Sequence, residues 1–386
     1  MFDGADPERF RAQPNSRWRR YGDDVMPAWL AEMDLPSCPA ATLAVEELLA
    51  GGTLGYQADE LPIELAEVFA GRMSTRFGWQ ADAALARPVT GANLAFRDIV
   101  ERFTAPGDEV IVQGPVFPPL AGLVTTTCRV LVTHPAALVD GVWRYDAERL
   151  EQLVTPRTRL LLVVNPHNPL GRVFERDELA AIAAVAERHD LIVVADEVHA
   201  DLLASGRHHV PMASLGDDVA ARTITLASAV KSHNLAGYRC GVVHLGSEEL
   251  ARRYDGDDRT WYWEVSTPGI VATIAAWRHG DEWLDEVLAG LAMRRAQLAA
   301  FLAEQLPEVG YVEGEGTFLA WLDCSALELG EDPASFFERS ALVALARGAD
   351  YGAGYEHHAR LTYATSAPLL SEMLERLVTA VDLRSV

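Results

Sequence analysis

Short runs of β-branched and aliphatic residues alternate with helical stretches through the middle of the chain. The segment 177–189, for example, has helical periodicity and leads directly into a strand-like run. Strands separated by helices can pair in parallel, because each helix carries the chain back across the sheet. The sequence therefore predicts an α/β fold with a mostly parallel sheet. Its predicted strands are 109–113, 129–133, 160–164, 191–195, 223–227 and 240–245.

The later part of the chain predicts a smaller α+β domain. A helix-rich tract at 270–305 is followed by strand-like pieces at 317–322 and 359–363. A chain of 386 residues, 49% of them hydrophobic, can bury the cores of two joined domains. The predicted division is 1–40 joining the small domain, 41–285 forming the large domain and 286–386 forming the small domain.

The charge of the chain limits its partners. A net charge of −23 argues against nucleic acid or an anionic membrane, since both bind basic surfaces. No apolar run approaches the roughly 20 residues of a membrane-spanning helix, and residues 1–13 are too polar for a signal peptide. The four cysteines are scattered, without the close Cys/His spacing of a structural zinc site. We therefore expect a cytoplasmic protein without a metal, nucleic-acid or membrane partner.

Lys231 is the only lysine among 33 basic residues, and the other 32 are arginines. Arginine can hold most surface positions of lysine, but it cannot lose its proton near neutral pH and attack an aldehyde. A lysine that stands alone is therefore expected where a reactive amine is needed. Composition by itself leaves open the alternative that this lysine has no function and has remained in the sequence by chance.

Polar residues lie at the ends of three neighbouring predicted strands. Asn165 begins the segment NPHNPLG after one strand, Asp196 ends the next, and Ser228 and Lys231 follow a third. The carboxyl ends of parallel strands meet at one edge of the sheet, so these residues should converge on one crevice. They suit pyridoxal phosphate (PLP), which needs an amine for its aldehyde and an acid beside its ring nitrogen.

Further residues could complete such a site. Asp196 is the candidate acid, although a helix N-cap explains its position equally well. The turn Gly91-Ala92-Asn93 precedes a helical pattern that begins at Leu94, and such a turn suits a phosphate. Arg239, eight residues past Lys231, could add a bidentate phosphate contact, although an isolated arginine is more often a surface residue.

From about residue 17 to 377, the sequence resembles the fold-type I PLP-dependent enzymes of the class I/II aminotransferase superfamily. Three elements carry the resemblance in order: Asn168 to Gly171, Asp196, and Ser228 with Lys231 and Arg239. It implies a large domain with a mostly parallel seven-stranded sheet, a smaller α+β domain, PLP as cofactor and an amino acid as substrate.

The resemblance also implies a role for each candidate residue. Asn168 and His199 would contact the phenolic oxygen, Asp196 the ring nitrogen, and Ser228, Arg239 and the turn at 91–93 the phosphate. Phe117 would stack on the ring, Arg360 would bind the substrate α-carboxylate, Ala31 would line the pocket through its backbone, and Tyr56 would complete the neighbouring site of a homodimer.

A narrower resemblance is to the cystathionine β-lyase-like C–S lyases. His199 is usual in that branch, whereas typical aminotransferases carry tyrosine at this position. The expected reaction is β-elimination from cystathionine or a cysteine S-conjugate, giving thiol, pyruvate and ammonia. The segments that carry this resemblance are 27–34 (PAWLAEMD), 165–172, 196–201 (DEVHAD), 280–284 and 318–324.

Departures from the lyase pattern keep other functions open. Phe117 replaces the commoner tyrosine, Glu32 replaces an aspartate, Ser232-His233 replace Thr-Phe, and Arg239 is more typical of aminotransferases. The alternative is an aminotransferase or deaminase, and the departures favour a specialised pathway, such as one of secondary metabolism. A PLP-fold regulatory or binding protein is a third possibility, disfavoured because the chain is acidic and lacks a basic extension ahead of the fold.

Overall fold

The structure, a computed structural model, describes residues 2–4, 6–52, 54–256 and 265–384. Within these residues, no helix is both long enough and apolar enough to span a membrane. The α-helices are α1 Pro7–Ala12, α2 Ser16–Arg19, α3 Pro39–Ala50, α4 Glu60–Phe77, α5 Ala92–Phe103, α6 Pro118–Thr126, α7 Ala147–Leu153, α8 Arg176–Arg188, α9 Asp217–Ala221, α10 Glu248–Asp255, α11 Thr267–His279, α12 Asp281–Gln305, α13 Pro333–Ala341 and α14 Ala367–Arg384.

The strands form one large sheet and several smaller ones. They are β1 Met26–Pro27, β2 Ala86–Val89, β3 Glu109–Gly114, β4 Val130–Pro135, β5 Ala137–Val139, β6 Val142–Arg144, β7 Thr158–Val164, β8 Ile192–Asp196, β9 Thr223–Ala227, β10 Gly241–Leu245, β11 Gly310–Tyr311, β12 Leu319–Asp323, β13 Val343–Ala344, β14 Ala346–Arg347 and β15 His358–Thr362.

The large sheet has seven strands in the order β2-β10-β9-β8-β7-β3-β4. Neighbours from β9 to β4 run parallel, whereas β10 runs antiparallel to both β9 and β2. This confirms the predicted α/β class and the mostly parallel sheet. The six predicted strands of the large domain lie within two residues of those observed. The prediction missed β2, because its sequence ARPV contains a proline and an arginine and lacks a strand pattern.

Helices cover both faces of this sheet, and β3 shows how. Successive side chains of a strand point to opposite faces of the sheet. All six residues of β3 are nevertheless buried, so both faces are covered at this strand. Val110 packs in the same cluster as Phe96 of α5, whereas Ile111 packs with Ile182 of α8 on the other side. Two covered faces explain why the central residues 110–112 (VIV) are apolar in succession rather than alternating with polar residues.

A second, antiparallel sheet forms from the C-terminal part of the chain in the order β11-β12-β15-β14. Side chains of α12, α13 and α14 pack in one core cluster with β12 and β15. Strand β1 pairs in parallel with β13, so the N-terminal segment lies beside the C-terminal region. The predicted division at 40 and 285 stays a prediction, and position 285 lies within α12.

Candidate active site

Strands β7, β8 and β9 are neighbours in the large sheet, and their carboxyl ends carry the predicted residues. The strand ends are joined by backbone hydrogen bonds beyond the regular pairing. Asn165 N donates to Asp196 O at 3.0 Å, and Glu197 N donates to Leu226 O at 2.9 Å. The structure therefore brings these three strand ends to one edge of the sheet, as the sequence predicted.

Lys231 lies in the turn after β9 and is partly buried. Its Nζ donates a hydrogen bond to Ala31 O at 2.8 Å, so Ala31 contacts Lys231 through its backbone. Burial and the nearby Arg360 lower the pKa of Lys231 to about 8, although Glu32 and Asp196 act in the opposite direction. The amine is therefore much easier to deprotonate than an ordinary lysine.

Asp196 is buried at the end of β8, where its Oδ1 accepts a hydrogen bond from Val198 N at 3.3 Å. Burial raises the pKa of Asp196 to about 6, while the Val198 N–H and Lys231 lower it. A carboxylate in this environment is stabilised by a further cation. A protonated ring nitrogen is such a cation.

Arg360 reaches the crevice from β15 of the second sheet. Its Nη1 donates to Asn168 Oδ1 at 3.1 Å, and its Nη2 donates to Trp29 O at 2.6 Å. The guanidinium also lies over the ring of Tyr351, 5.6 Å from its centroid. Its Nε is buried without a hydrogen-bond partner among the described residues. Arg360 is thus fixed beside Asn168 with a donor left over for an acceptor such as a carboxylate.

His199 is buried, with its ring edge-to-face against Phe318 at 6.0 Å. Burial, assisted by Lys231 and Arg360, holds the pKa of His199 well below its usual value, so the imidazole is neutral. Its Nδ1 is buried and makes no hydrogen bond within the part of the chain that the structure describes. A neutral imidazole with an unsatisfied nitrogen suits a polar oxygen of a bound group.

The expected phosphate ligands lie on separate elements. Helix α5 begins at Ala92 rather than at Leu94, so Ala92 and Asn93 belong to its first turn, which the sequence pattern placed outside the helix. Gly91 precedes it with a φ of 140°, and a Cβ there would meet nothing within 4 Å. Only glycine readily adopts this φ, and the open space suits an anion at the helix N-terminus.

Two other candidates for the phosphate are engaged differently. Ser228 is buried, and its Oγ donates to Cys240 O at 2.7 Å while it accepts from Val230 N at 3.2 Å. Its hydroxyl would have to rotate to donate to a phosphate. Arg239 is exposed and has a left-handed φ of 54°. Its charge still helps to lower the pKa of Lys231.

Phe117 and Tyr56 have contrasting positions. Phe117 is the N-cap of α6 and packs partly buried against the cluster of Leu170, Trp321 and Tyr351. Tyr56 is 94% exposed, so it does not pack into the crevice of its own chain. The structure thus brings together most of the predicted residues and leaves Tyr56 outside.

The prediction from sequence did not include two residues that contact Arg360. Trp29 acts through its backbone, and its position two residues before Ala31 was the available hint. Tyr351 is the last residue of a short 3-10 helix, Gly348–Tyr351, which follows β14 and has no sequence pattern that points to a site. No group of three or more His, Cys, Asp or Glu among the described residues could hold a metal ion.

Comparison with known proteins identifies the family. The sequence profile of the aminotransferase class I and II family matches residues 31–378. The chain belongs to this family. It is 31% identical to cystathionine β-lyase PatB of Bacillus subtilis, over 95% of this chain and 96% of that protein.

Solved structures agree. Cystalysin from Treponema denticola, which contains PLP, has a TM-score of 0.93 at 26% identity, and the match covers both chains completely. An N-succinyldiaminopimelate aminotransferase from Mycobacterium tuberculosis has a TM-score of 0.83 at 28% identity over 92% of each chain. These findings confirm the expected fold-type I fold and its lyase-like branch.

Proposed function

We propose that this protein is a PLP-dependent carbon–sulfur β-lyase that acts on cystathionine or a cysteine S-conjugate. The observation that carries the proposal is that lyase-type segments themselves line the site. Ala31, in the segment 27–34, accepts the hydrogen bond of Lys231, and the segment 196–201 supplies Asp196 and His199. The similarity to PatB over nearly the whole chain supports the same reaction.

The residues fit PLP by their chemistry. Asp196 would pair with the ring nitrogen, and Asn168 and His199 would contact the phenolic oxygen. Phe117 would stack on the ring. The ligands proposed for the phosphate are Gly91, Ala92, Asn93, Ser228 and Arg239. PLP supplies an aldehyde that takes up amines and a ring that accepts the electron pair released at the substrate Cα.

The protein's own groups then act on the substrate. Arg360 would bind the α-carboxylate and orient the Cα–H bond. The neutral Lys231 amine would take the Cα proton at Nζ, and the Cβ–S bond would break with its electron pair leaving on sulfur. Overall, the cysteine conjugate and one water give a thiol, pyruvate and ammonium. Lys231, with a pKa of about 8, can both accept and return a proton near neutral pH.

A product assay tests the reaction. The PLP-loaded protein is incubated with cystathionine and with S-substituted cysteines, and thiol, pyruvate and ammonia are measured in parallel without a keto-acid acceptor. A β-lyase releases the three in equal amounts. The absence of thiol and pyruvate from all of these substrates would refute the proposal. Lys231→Ala is the matched inactive control.

An aminotransferase is the second candidate, and Arg239 favours it because arginine is more typical of aminotransferases at this position. An aminotransferase would use the same site residues. Lys231 would take the proton from the substrate Cα and return it to a different carbon, and no thiol would leave. The assay distinguishes the two reactions directly. A transaminase needs a keto-acid acceptor, transfers the amine to it and releases no thiol. A deaminase would release ammonia without thiol.

The exposure of Tyr56 supports a homodimer in which Tyr56 completes the active site of the neighbouring subunit. The four free cysteines support a cytoplasmic location. Mixing Tyr56→Ala with Lys231→Ala subunits tests the dimer. Each variant alone should have little activity, whereas a mixed dimer contains one site with both native residues. If exchange of subunits restores no activity, Tyr56 does not act across a dimer.

A further inference from the structure

Four successive carbonyl groups, from Ala28 to Ala31, form a row that contacts the active site. Ala31 O accepts from Lys231 Nζ at 2.8 Å, and Trp29 O accepts from Arg360 Nη2 at 2.6 Å. The other two accept from Thr362, whose N donates to Ala28 O at 2.9 Å and whose Oγ1 donates to Leu30 O at 3.0 Å. The path of this backbone therefore decides where two functional cations lie.

The segment has no regular structure of its own to fix that path. Strand β1 ends at Pro27, and the next helix, α3, begins at Pro39. Backbone in such a connection needs hydrogen bonds from elsewhere to hold one conformation. Some of these hydrogen bonds come from Ala344, Thr362 and Asn234. Others come from a side chain earlier in the sequence.

Arg17 is fully buried and holds the segment at both ends. Its Nε donates to Pro27 O at 3.1 Å, and its Nη1 donates to Glu32 O. Its Nη2 pairs with Asp34 Oδ2 at 3.1 Å, and Asp34 in turn accepts from Trp18 Nε1 at 2.6 Å. One guanidinium thus contacts the residues before and after the row of carbonyls.

We propose that Arg17 is a positioning residue of the active site, holding the Ala28–Ala31 carbonyls where Lys231 and Arg360 donate to them. Its planar fork of donors can reach three acceptors at once, which lysine cannot do. Asp34 makes the burial of this charge tolerable, because a buried arginine without a partner is strongly destabilising. Arg17 touches neither substrate nor cofactor and acts through the backbone.

Two consequences follow at the site. If the segment loosens, water reaches Lys231, and burial is the main reason that its pKa lies at about 8 rather than 10.5. The pKa should therefore rise. Arg360 would also lose its anchor on Trp29 O, so the substrate carboxylate should bind more weakly. This second consequence rests on the proposed function, whereas the first concerns the protein without its cofactor.

The sequence offers an unusually clean measurement, because Lys231 is the only lysine. Protein grown with ¹³C,¹⁵N-lysine gives one side-chain Cε–Nζ signal, and titrating it in cofactor-free protein yields the pKa of Lys231 directly. The test variant is Arg17→Met combined with Asp34→Asn, which removes one charge of each sign and leaves the net charge unchanged. We expect the pKa to rise by about one pH unit or more.

A matched control removes a different ion pair. Arg157 pairs with the buried Glu109 at 2.9 Å, at the amino ends of β3 and β7 and so at the far edge of the sheet. Arg157→Met combined with Glu109→Gln also keeps the net charge and should lower stability without moving the lysine signal. If both double variants shift the pKa equally, Arg17 acts only on general stability and the proposal is wrong.

A second variant covers the case in which the first does not fold. Arg17→Gln keeps one amide donor and should give a smaller rise of the same sign. A folded Arg17 variant in which Lys231 titrates as in the wild type overturns the proposal. In the loaded enzyme, the KM for the sulfur amino acid should rise about tenfold or more, with a smaller fall in kcat.

The same signal keeps the two proposals separate. Adding PLP to wild-type protein must move the Lys231 resonance if Lys231 is the cofactor amine. If it does not move, the proposed function fails, while the effect of Arg17 on the cofactor-free pKa stands or falls on its own titration.

Discussion

Replacing Asp196 with asparagine should stabilise the cofactor-free protein at neutral pH while impairing its function. Burial raises the pKa of Asp196 from 3.8 to about 6, so the folded protein carries an unfavourable charge at pH 7. Each pKa unit corresponds to about 1.4 kcal/mol, and Asp196→Asn should therefore add about 3 kcal/mol to the free energy of unfolding. The asparagine Oδ1 can still accept the hydrogen bond from Val198 N.

The increase in the free energy of unfolding that Asp196→Asn causes should depend on pH. Well below pH 3.8, the carboxyl is protonated in both the folded and the unfolded chain, and the two proteins should be equally stable. Between pH 4 and 6 the unfolded chain loses the proton first, so the wild type loses stability relative to the variant. Above pH 6 to 7 the difference should stay constant. Urea unfolding of both cofactor-free proteins from pH 4 to 8 measures it.

The control is Asp190→Asn, which removes a carboxylate that is 98% exposed. It should change the free energy of unfolding by no more than about 0.5 kcal/mol. Bound PLP should reduce or reverse the difference in the free energy of unfolding between Asp196→Asn and the wild type. The wild-type carboxylate then has a cationic partner, the protonated ring nitrogen, which asparagine cannot stabilise. A cofactor-free variant that is no more stable than the wild type at pH 8 would show that Asp196 is not an isolated buried charge.

Three further outcomes are expected. Uptake of PLP by the cofactor-free protein should accelerate with pH and level off above about pH 8, because the neutral amine of Lys231 is the reactive form; acceleration that continues to pH 10 would contradict the lowered pKa. Arg360→Gln should raise the pKa of Lys231 in the lysine NMR titration and raise the KM of the substrate, since it removes a neighbouring cation; an unchanged pKa would mean that burial alone lowers it. Gly171→Ala should lower the free energy of unfolding by about 1–3 kcal/mol, because Gly171 has a φ of 67° and a Cβ there would lie 2.9 Å from Gly314 Cα. Unfolding in urea measures this change. The control is Gly122→Ala, because a Cβ at Gly122 would meet nothing within 4 Å.

Much of the fold was predictable because the strands of a covered parallel sheet are continuous apolar runs. Strands β7, β8 and β9 could be found in this way, and with them the strand-end positions of Asn165, Asp196 and Lys231. Strand β2 could not, because its pairing with β10 tolerates a proline and an arginine at the edge of the sheet. The start of α5 was placed two residues too late, since Ala92 and Asn93 carry no apolar periodicity.

The sequence alone was enough to predict which residues do the chemistry. A lone lysine among arginines, an acid at the next strand end and the order of the motifs together identified the PLP family before any contact was known. The tertiary structure alone decided the environment of those residues. The lowered pKa of Lys231 and the fixing of Arg360 by Asn168 depend on contacts between residues about 190 to 330 positions apart in the chain. Arg17 contacts residues only 10 and 15 positions away, but it binds their backbone carbonyl groups. Carbonyl groups and burial leave no mark in the residue types, so no local pattern could have revealed them.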